Sequence, residues 1–253
     1  MIPDWTAGER LFAQYAHAPN ALGYCGPEAA DGLLRGARGE NPARDVRAIA
    51  RGFSGAWPYQ DVIAELSGLG DPLDAAVVRA YWTGNEVTDL IEPSEFGAAL
   101  LARIKPQAGR YWAHLDADLL HEALPTHAFH VFAVYPWLGL LRSGIVDEPL
   151  RILDQCRTSA ARVLSSDGET ATVLARPLVY EHGLLGLGGP VTKEARWSEA
   201  GLSFVGRPEP GDLVSLHWDF LCDRLTPASA SALETATRRA LRSANLAAPA
   251  AVA

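Results

Sequence analysis

The spacing of the apolar residues changes near positions 147–149, and this change restricts the chain to a fold with a helical part and a β part. Before it, amphipathic segments of helical period alternate with proline and glycine. After it, short alternating segments are separated by turn residues, as in small barrels. The sequence predicts an α+β protein with an all-α domain at 1–149, a small OB-like β-barrel with a C-terminal helix at 150–246, and a flexible tail at 247–253.

Both periods can be followed along the chain. The helical period predicts helices at 9–17, 43–53, 57–69, 73–82, 93–104, 126–143 and 228–245. The alternating period predicts strands at 162–165, 170–175, 178–180, 184–187, 191–197, 202–205 and 213–218. Asp167-Gly168, which follows the first strand, is a strong signal for a tight hairpin. Because Pro136 lacks a backbone donor, we expect a break near Tyr135 in the helix that begins at Thr126.

Composition limits the settings in which the 253-residue chain is expected to work. A net charge of -8 offers no basic surface to a phosphate backbone, so nucleic acid is not an expected partner. An odd number of cysteines suits a reducing compartment, and the N-terminus has no secretion signal. The most apolar run, residues 128–141, is too short to span a membrane. The sequence therefore predicts a cytoplasmic protein with no membrane partner.

The segment from Gly211 to Leu225 carries the first candidate site. Its alternation places Val214, Leu216 and Trp218 on a buried face and Ser215, His217 and Asp219 on the opposite face. If the barrel brings Cys156 and His217 together, their thiolate and imidazole are suited to hold a transition metal. Asp219 is then expected to orient the imidazole. A buried cysteine that packs as a small hydrophobe, and an ordinary strand histidine, are the alternatives.

Residues 154–235 resemble the small hydrogenase-assembly chaperones of the HypC/HupF type. Those proteins begin with a cysteine just after the initiating Met, continue through a compact barrel of hairpins, and close with a strand of the form Gly-Asp-x-Val-x-x-His. Here Cys156 takes the place of the leading cysteine, and residues 211–217 match the closing strand, with Phe220 also matching. Unlike that cysteine, Cys156 lies inside the chain, behind a helical half that the small chaperones lack.

This resemblance implies a HypC-like barrel with a role in nickel-iron hydrogenase maturation. In that family the cysteine and the histidine are associated with an iron fragment that bears cyanide and carbon monoxide ligands. Carried over to this chain, the resemblance points to Cys156 and His217 as the iron ligands. It also implies a protein partner, either a hydrogenase subunit or a maturation factor.

The whole chain also resembles an uncharacterised actinobacterial family whose members tend to be encoded beside nickel-iron hydrogenase genes. The shared motifs are Leu22-Gly23-Tyr24-Cys25-Gly26-Pro27, Gly55-Ala56-Trp57-Pro58-Tyr59, Tyr81-Trp82-x-Gly84-Asn85, His130-Val131-Phe132-x-Val134-Tyr135-Pro136-Trp137 and Leu216-His217-Trp218-Asp219. This second resemblance implies the same hydrogenase-related role, although the motifs have no assigned chemistry.

An enzyme with a pocket between the two parts is one alternative function, and a barrel that has lost its metal and acts only as a protein-binding module is another. Cys25, His127 and His130 are the enzyme's candidate acid, base or nucleophile, since glycine follows the cysteine and the two histidines share one helix face. The aromatic residues expected to line the pocket are Tyr24, Trp57, Tyr81, Trp82, Tyr135 and Trp137. Packing of these rings in a core without a ligand is the competing interpretation.

Overall fold

Helices come first along the chain in the computed structural model, which describes residues 5–27, 32–34, 46–104, 123–134 and 137–246. They are α1 (Ala7–Ala21), α2 (Val46–Arg51), α3 (Trp57–Leu66), α4 (Ala75–Trp82), α5 (Glu86–Leu90), α6 (Pro93–Ile104), α7 (His127–Phe129), α8 (Trp137–Arg142) and α9 (Asp147–Cys156). A π-helix, His130–Val134, continues α7.

Helix α1 lies in the interior, with most of its middle turns buried. It begins at a capping box: the Thr6 hydroxyl accepts from the Glu9 backbone N–H at 3.2 Å, and the Glu9 carboxylate accepts from the Thr6 backbone N–H at 2.8 Å. Gly8, in the first turn, leaves no space for a side chain, because a Cβ there would lie 1.9 Å from the Leu73 carbonyl oxygen. This close approach lets α1 pack against α4.

Strands follow the helices and form two separate sheets in the described part of the chain. They are β1 (Ser159–Asp167), β2 (Thr170–Ala175), β3 (Leu178–Glu181), β4 (Leu184–Leu187), β5 (Val191–Arg196), β6 (Leu213–His217) and β7 (Phe220–Arg224). Five of them close a barrel in the order β1-β2-β5-β7-β6, and β3 pairs only with β4. Neighbours in the barrel are antiparallel except β5 and β7, which pair in parallel.

The hydrophobic core is continuous between the helices and the barrel. Phe12 and Phe132 of the helical part belong to the same core as Leu153, Cys222 and Leu241. Helix α10 (Pro227–Leu246) follows the barrel and packs against α7 as well as β1 and β4. A second core fills the barrel interior. The two parts of the chain therefore share buried surface.

The predicted α+β class is confirmed, since the chain has helices, a closed five-stranded barrel and a C-terminal helix. The hairpin between the first two strands is also confirmed, but its two loop residues are Gly168 and Glu169, because Asp167 belongs to β1 and pairs with Thr170. The predicted boundary at residue 150 lies inside α9, where the sequence suggested only a change of period. Pro149 fits there because the first turn of a helix has no partner for its N–H. Ile152 and Leu153 are buried on this helix.

Two strand assignments differ from the sequence analysis. The sequence does not predict β7, and 202–205 is not a strand because Leu202 makes only an isolated bridge with Glu199. The break expected near Tyr135 and the tail at 247–253 lie outside the described residues. Within the described ranges, no helix combines the length and the apolar character needed to cross a membrane.

Candidate functional site

The candidate site forms where three elements from different parts of the chain meet. Cys156 ends α9, His127 begins α7 and His217 ends β6. One ligand atom from each of these three residues lies within 4.8 Å of the other two. The structure thus brings the predicted Cys156 and His217 together and adds His127, which the sequence analysis had assigned to the alternative enzyme site.

A cavity of about 120 Å³ contacts all three residues. Its wall also contains every described residue of the predicted catalytic set and four of the five described residues predicted to line a pocket; Trp57 lies elsewhere. The lining consists of Pro19, Tyr24, Cys25, Phe53, Gly55, Ala56, Tyr81, Trp82, His127, His130, Trp137, Ile152, Cys156, His217 and Trp218. Tyr135 falls outside the described residues.

His217 has a fixed tautomer and one ring nitrogen without a partner. Its Nδ1 lies 2.7 Å from the Tyr15 carbonyl oxygen. Because a carbonyl only accepts, Nδ1 carries the proton and Nε2 holds a lone pair. Nε2 is buried, and no described residue makes a hydrogen bond to it. Leaving such an atom unpaired costs about 1 to 3 kcal/mol, which a metal or another donor would offset.

His127 is held at both ring nitrogens. Its Nε2 donates to the Cys156 carbonyl oxygen at 2.8 Å, which leaves Nδ1 to accept from the Tyr81 hydroxyl at 3.0 Å. The Thr126 hydroxyl caps α7 by accepting from the Phe129 backbone N–H at 3.3 Å. His127 therefore becomes a ligand only when the Tyr81 hydroxyl turns away from Nδ1.

Burial keeps the three imidazoles neutral. It lowers the pKa of His217 to about 4, against the opposing effect of the Tyr15 and Cys156 carbonyls. Burial likewise lowers the pKa of His130 to about 4. The pKa of His127 is well below its ordinary value because of burial first, and then because of the nearby His217 and His130. All three rings are neutral at pH 7, which is the form that binds metals.

Burial has the opposite effect on the two thiols. It raises the pKa of the Cys156 thiol, which the nearby Cys25 raises further and the Trp218 indole lowers. The indole N–H and the sulfur are close, yet they do not form a hydrogen bond of ordinary geometry. Burial also raises the pKa of the Cys25 thiol to about 12. Both thiols keep their protons at neutral pH unless a metal displaces them.

Tyr24 lies between the cavity and solvent. The residue is 50% exposed, and its ring stacks on Trp218 with 3.9 Å between the ring centroids. The loop that carries Tyr24 is held by Asn20, whose side-chain amide donates to the carbonyls of Cys25 at 2.9 Å and Pro27 at 3.1 Å. The cavity therefore has an aromatic cover on the side where its wall reaches the surface.

The expected contact between Asp219 and His217 is absent among the described residues. The Asp219 carboxylate accepts from Gln155 at 3.0 Å and pairs with Lys193, while the Tyr15 carbonyl orients the imidazole instead. Trp218 and Asp219 form the tight turn after β6 with φ of 52° and 55°, a left-handed backbone that non-glycine residues adopt infrequently. This turn directs the carboxylate away from the ring it was expected to orient.

Strand β6 is buried on both faces, whereas the sequence predicted one buried face. Val214 and Leu216 belong to the core of the barrel interior. Helix α1 covers the other face, where the Tyr15 hydroxyl and Ser215 Oγ lie 2.9 Å apart. His217 is only 1% exposed for the same reason. Tyr15 was missed because nothing in the sequence spacing indicates that α1 packs on this strand.

The three donors are close to the arrangement that a metal ion requires. Two protein ligands of a tetrahedral ion lie about 3.3 to 3.6 Å apart, so each donor atom would have to move by less than about 1 Å from a 4.8 Å separation. One thiol and two neutral imidazoles form a donor set for zinc, iron or copper rather than magnesium or calcium. The residues present therefore fit a transition metal.

Sequence comparison identifies a family but no activity. The sequence model described as "Family of unknown function (DUF6390)" matches residues 4–250. No curated protein and no solved structure matches the chain.

Proposed function

This chain belongs to the DUF6390 family, whose function is unknown, and from that premise we propose that it binds iron as an accessory protein of nickel-iron hydrogenase maturation. Cys156 and His217 would hold the iron, and His127 would join them. The iron would be cargo, delivered to a hydrogenase subunit or another maturation factor. The bound iron would carry small ligands to that partner.

One observation carries this proposal: the buried Nε2 of His217 has no hydrogen-bond partner in the described structure, and His217 belongs to the same group of potential metal ligands as Cys156. Histidines that bind metals usually donate their other ring N–H to a carbonyl or carboxylate, which fixes the tautomer. The Tyr15 carbonyl supplies that acceptor at 2.7 Å. The imidazole is thus arranged as a ligand before any metal arrives.

The strand order of the barrel supports the HypC-like part of the proposal. The five strands close into a barrel in which β6 lies beside β1. Cys156, which comes shortly before β1 in the chain, is therefore close to the end of β6. Ser159 pairs with Leu216, which is adjacent to His217. We infer from this order that the barrel is OB-like, with Cys156 and His217 at one rim.

The size of the cavity favours a metal with small ligands over an organic substrate. Pockets for metabolite-sized molecules usually measure about 300 to 1,000 Å³, compared with about 120 Å³ here. The alternative function, an enzyme that uses Cys25, His127 or His130, is favoured by the presence of Tyr81, Trp82 and His130 in the cavity wall. Its substrate would have to be small or would have to displace Tyr24.

Metal analysis of the protein and two variants tests the proposal. The chain is purified without oxygen, stripped of metal and titrated with ferrous iron, and bound iron is measured by mass spectrometry. We expect about one iron per chain and an affinity that increases with pH, because the Cys156 thiol must release its proton. Loss of a residue that only hydrogen-bonds to a ligand weakens metal binding by about 10- to 100-fold. Cys156→Ser and His217→Gln each remove a ligand itself, so each should weaken iron binding by more than that.

Matched variants outside the cavity separate ligand loss from general damage. Cys222→Ala removes a cysteine in the core, and His182→Asn removes an exposed histidine in the β3–β4 turn. Both should bind iron like the unaltered protein. Equal iron affinity in all five proteins would contradict the proposed site. Infrared bands of metal-bound cyanide or carbonyl, in protein isolated from a host that assembles hydrogenase, would support the hydrogenase role.

A further inference from the structure

Trp82, like His217 and Trp218, is a cavity residue with a buried polar atom that makes no hydrogen bond with a described residue. Its indole Nε1 is buried and makes no hydrogen bond with any described residue, and the side chain is 3% exposed. The ring lines the cavity beside His127 and His217. A buried N–H without an acceptor is costly, so its position calls for an acceptor that belongs to no described residue.

The ring of Trp82 is held on several sides and has little freedom to turn toward another acceptor. It stacks on Tyr15 with 5.3 Å between centroids and an interplanar angle of 10°. It also contacts the rings of His127 at 4.6 Å and His217 at 5.3 Å. The indole is therefore fixed against two of the three residues that would bind the metal.

We infer that Trp82 recognises a small acceptor-bearing ligand of the metal, which donates to the metal at one end and accepts the Trp82 N–H at the other. This inference rests on the proposed metal site. The cavity volume of about 120 Å³ limits such a ligand to a few heavy atoms. Indole is a donor only, so the group it recognises must be an acceptor, which a small anion provides. The lone pair of His217 and the N–H of Trp82 thus have separate uses, one toward the metal and one toward its ligand.

Azide binding to the cobalt-loaded protein tests this role. Cobalt(II) is a suitable probe because its visible absorption changes with its ligands, and azide is a linear anion with an acceptor at its free end. The unaltered protein and Trp82→Phe are each loaded with cobalt(II) and titrated with sodium azide. We expect Trp82→Phe to keep its cobalt but to bind azide about tenfold more weakly, because a hydrogen bond to an anion is lost. The infrared stretch of bound azide should also shift.

Trp197→Phe is the matched control. Trp197 also has a buried Nε1 without a partner in the described part of the chain, but it lies outside the cavity. Its removal should leave azide affinity and the azide stretch unchanged. Equal azide affinity and an unshifted stretch in cobalt-loaded Trp82→Phe would overturn the role of Trp82 while leaving the metal site intact. No cobalt uptake by the unaltered, folded protein would overturn the proposed function and this inference together.

Discussion

Burial decides the charge of each histidine around the cavity. His130 and His217 are 2% and 1% exposed, and burial lowers the pKa of both rings to about 4. In the unfolded chain a histidine titrates near pH 6.5. The folded protein therefore keeps these rings neutral over a range of pH in which the unfolded chain is protonated. This difference makes the histidines lone-pair donors at neutral pH, and it also makes the fold sensitive to acid.

We predict that the metal-free protein loses stability as the pH falls from about 6.5 to 4. In this window the unfolded chain binds protons that the folded chain does not, so the free energy of unfolding decreases by about 1.4 kcal/mol per pH unit for each buried histidine. Urea unfolding at a series of pH values measures this slope. His130→Gln removes one of the groups that bind a proton on unfolding, so it should reduce this slope by about 1.4 kcal/mol per pH unit.

Cys222→Ala serves as the control for this slope, because it removes a buried side chain that does not titrate between pH 6.5 and 4, burial having raised the pKa of its thiol. Its replacement should leave the pH dependence as it is. An identical slope in His130→Gln and the unaltered protein would show that His130 is not held neutral by the fold.

Helix α1 links the helical part to the site because it contacts both α4 and the strands β6 and β7. Its first turn approaches Leu73 at Gly8, and its third turn supplies the Tyr15 carbonyl that orients His217. The close contact at Gly8 therefore fixes the position of the helix along its axis, and that position determines where the Tyr15 carbonyl meets His217. A change at Gly8 should be felt by His217.

We predict opposite effects for two glycine-to-alanine changes in helices. Gly8→Ala should lower the free energy of unfolding by about 1 to 3 kcal/mol or more, because the new Cβ collides with the Leu73 backbone. Gly139→Ala in α8 has nothing within 4 Å of its Cβ and should raise that free energy by about 0.5 to 1 kcal/mol. Thermal and urea unfolding measure both. Similar values for the two variants would contradict the close approach of α1.

The sequence predicts the elements whose signals are local. The Asp167-Gly168 pair predicts the hairpin to within one residue of its loop, and the helical period at 228–245 predicts α10. Gly8 and Gly139 look alike in sequence, because the difference between them is a contact with a residue far along the chain. Strand β7 was missed since its register depends on pairing with β6 and β5.

The candidate site was predictable to the same limited degree. Residue chemistry and the resemblance together pointed to Cys156 and His217, which the structure brings close. The contribution of His127 depends on how α7 packs near the end of α9, where it donates to the Cys156 carbonyl. The prediction that Asp219 orients His217 was wrong, because the alternation of side chains in a strand does not indicate that Trp218 and Asp219 form a turn with left-handed backbone.

At the scale of the whole molecule, the two parts predicted as domains share one hydrophobic core. The cavity lies between them, with Tyr24 and Trp82 from the helical part and His217 and Trp218 from the barrel. Neither part holds the site alone, since the hydrogen bond that orients His217 comes from α1. Unfolding one part would expose apolar surface of the other.

We predict a single cooperative unfolding transition for the metal-free chain. Backbone circular dichroism and tryptophan fluorescence should give the same urea midpoint, because opening the core on one side removes the buried surface of the other. Two separate midpoints would show that the helical part and the barrel are independent. Ferrous iron should move the single midpoint to higher urea, as any ligand of the folded state does.

The acceptor that orients His217 is part of the main chain, and this has a consequence for how the protein can vary. Every amino acid carries a carbonyl, so substitution at position 15 can change the packing there without taking the acceptor away. The orientation of the imidazole depends on the position of the backbone of the first helix and not on which side chain stands at position 15. Evolutionary drift at that position would leave the tautomer intact as long as the helix stays in register.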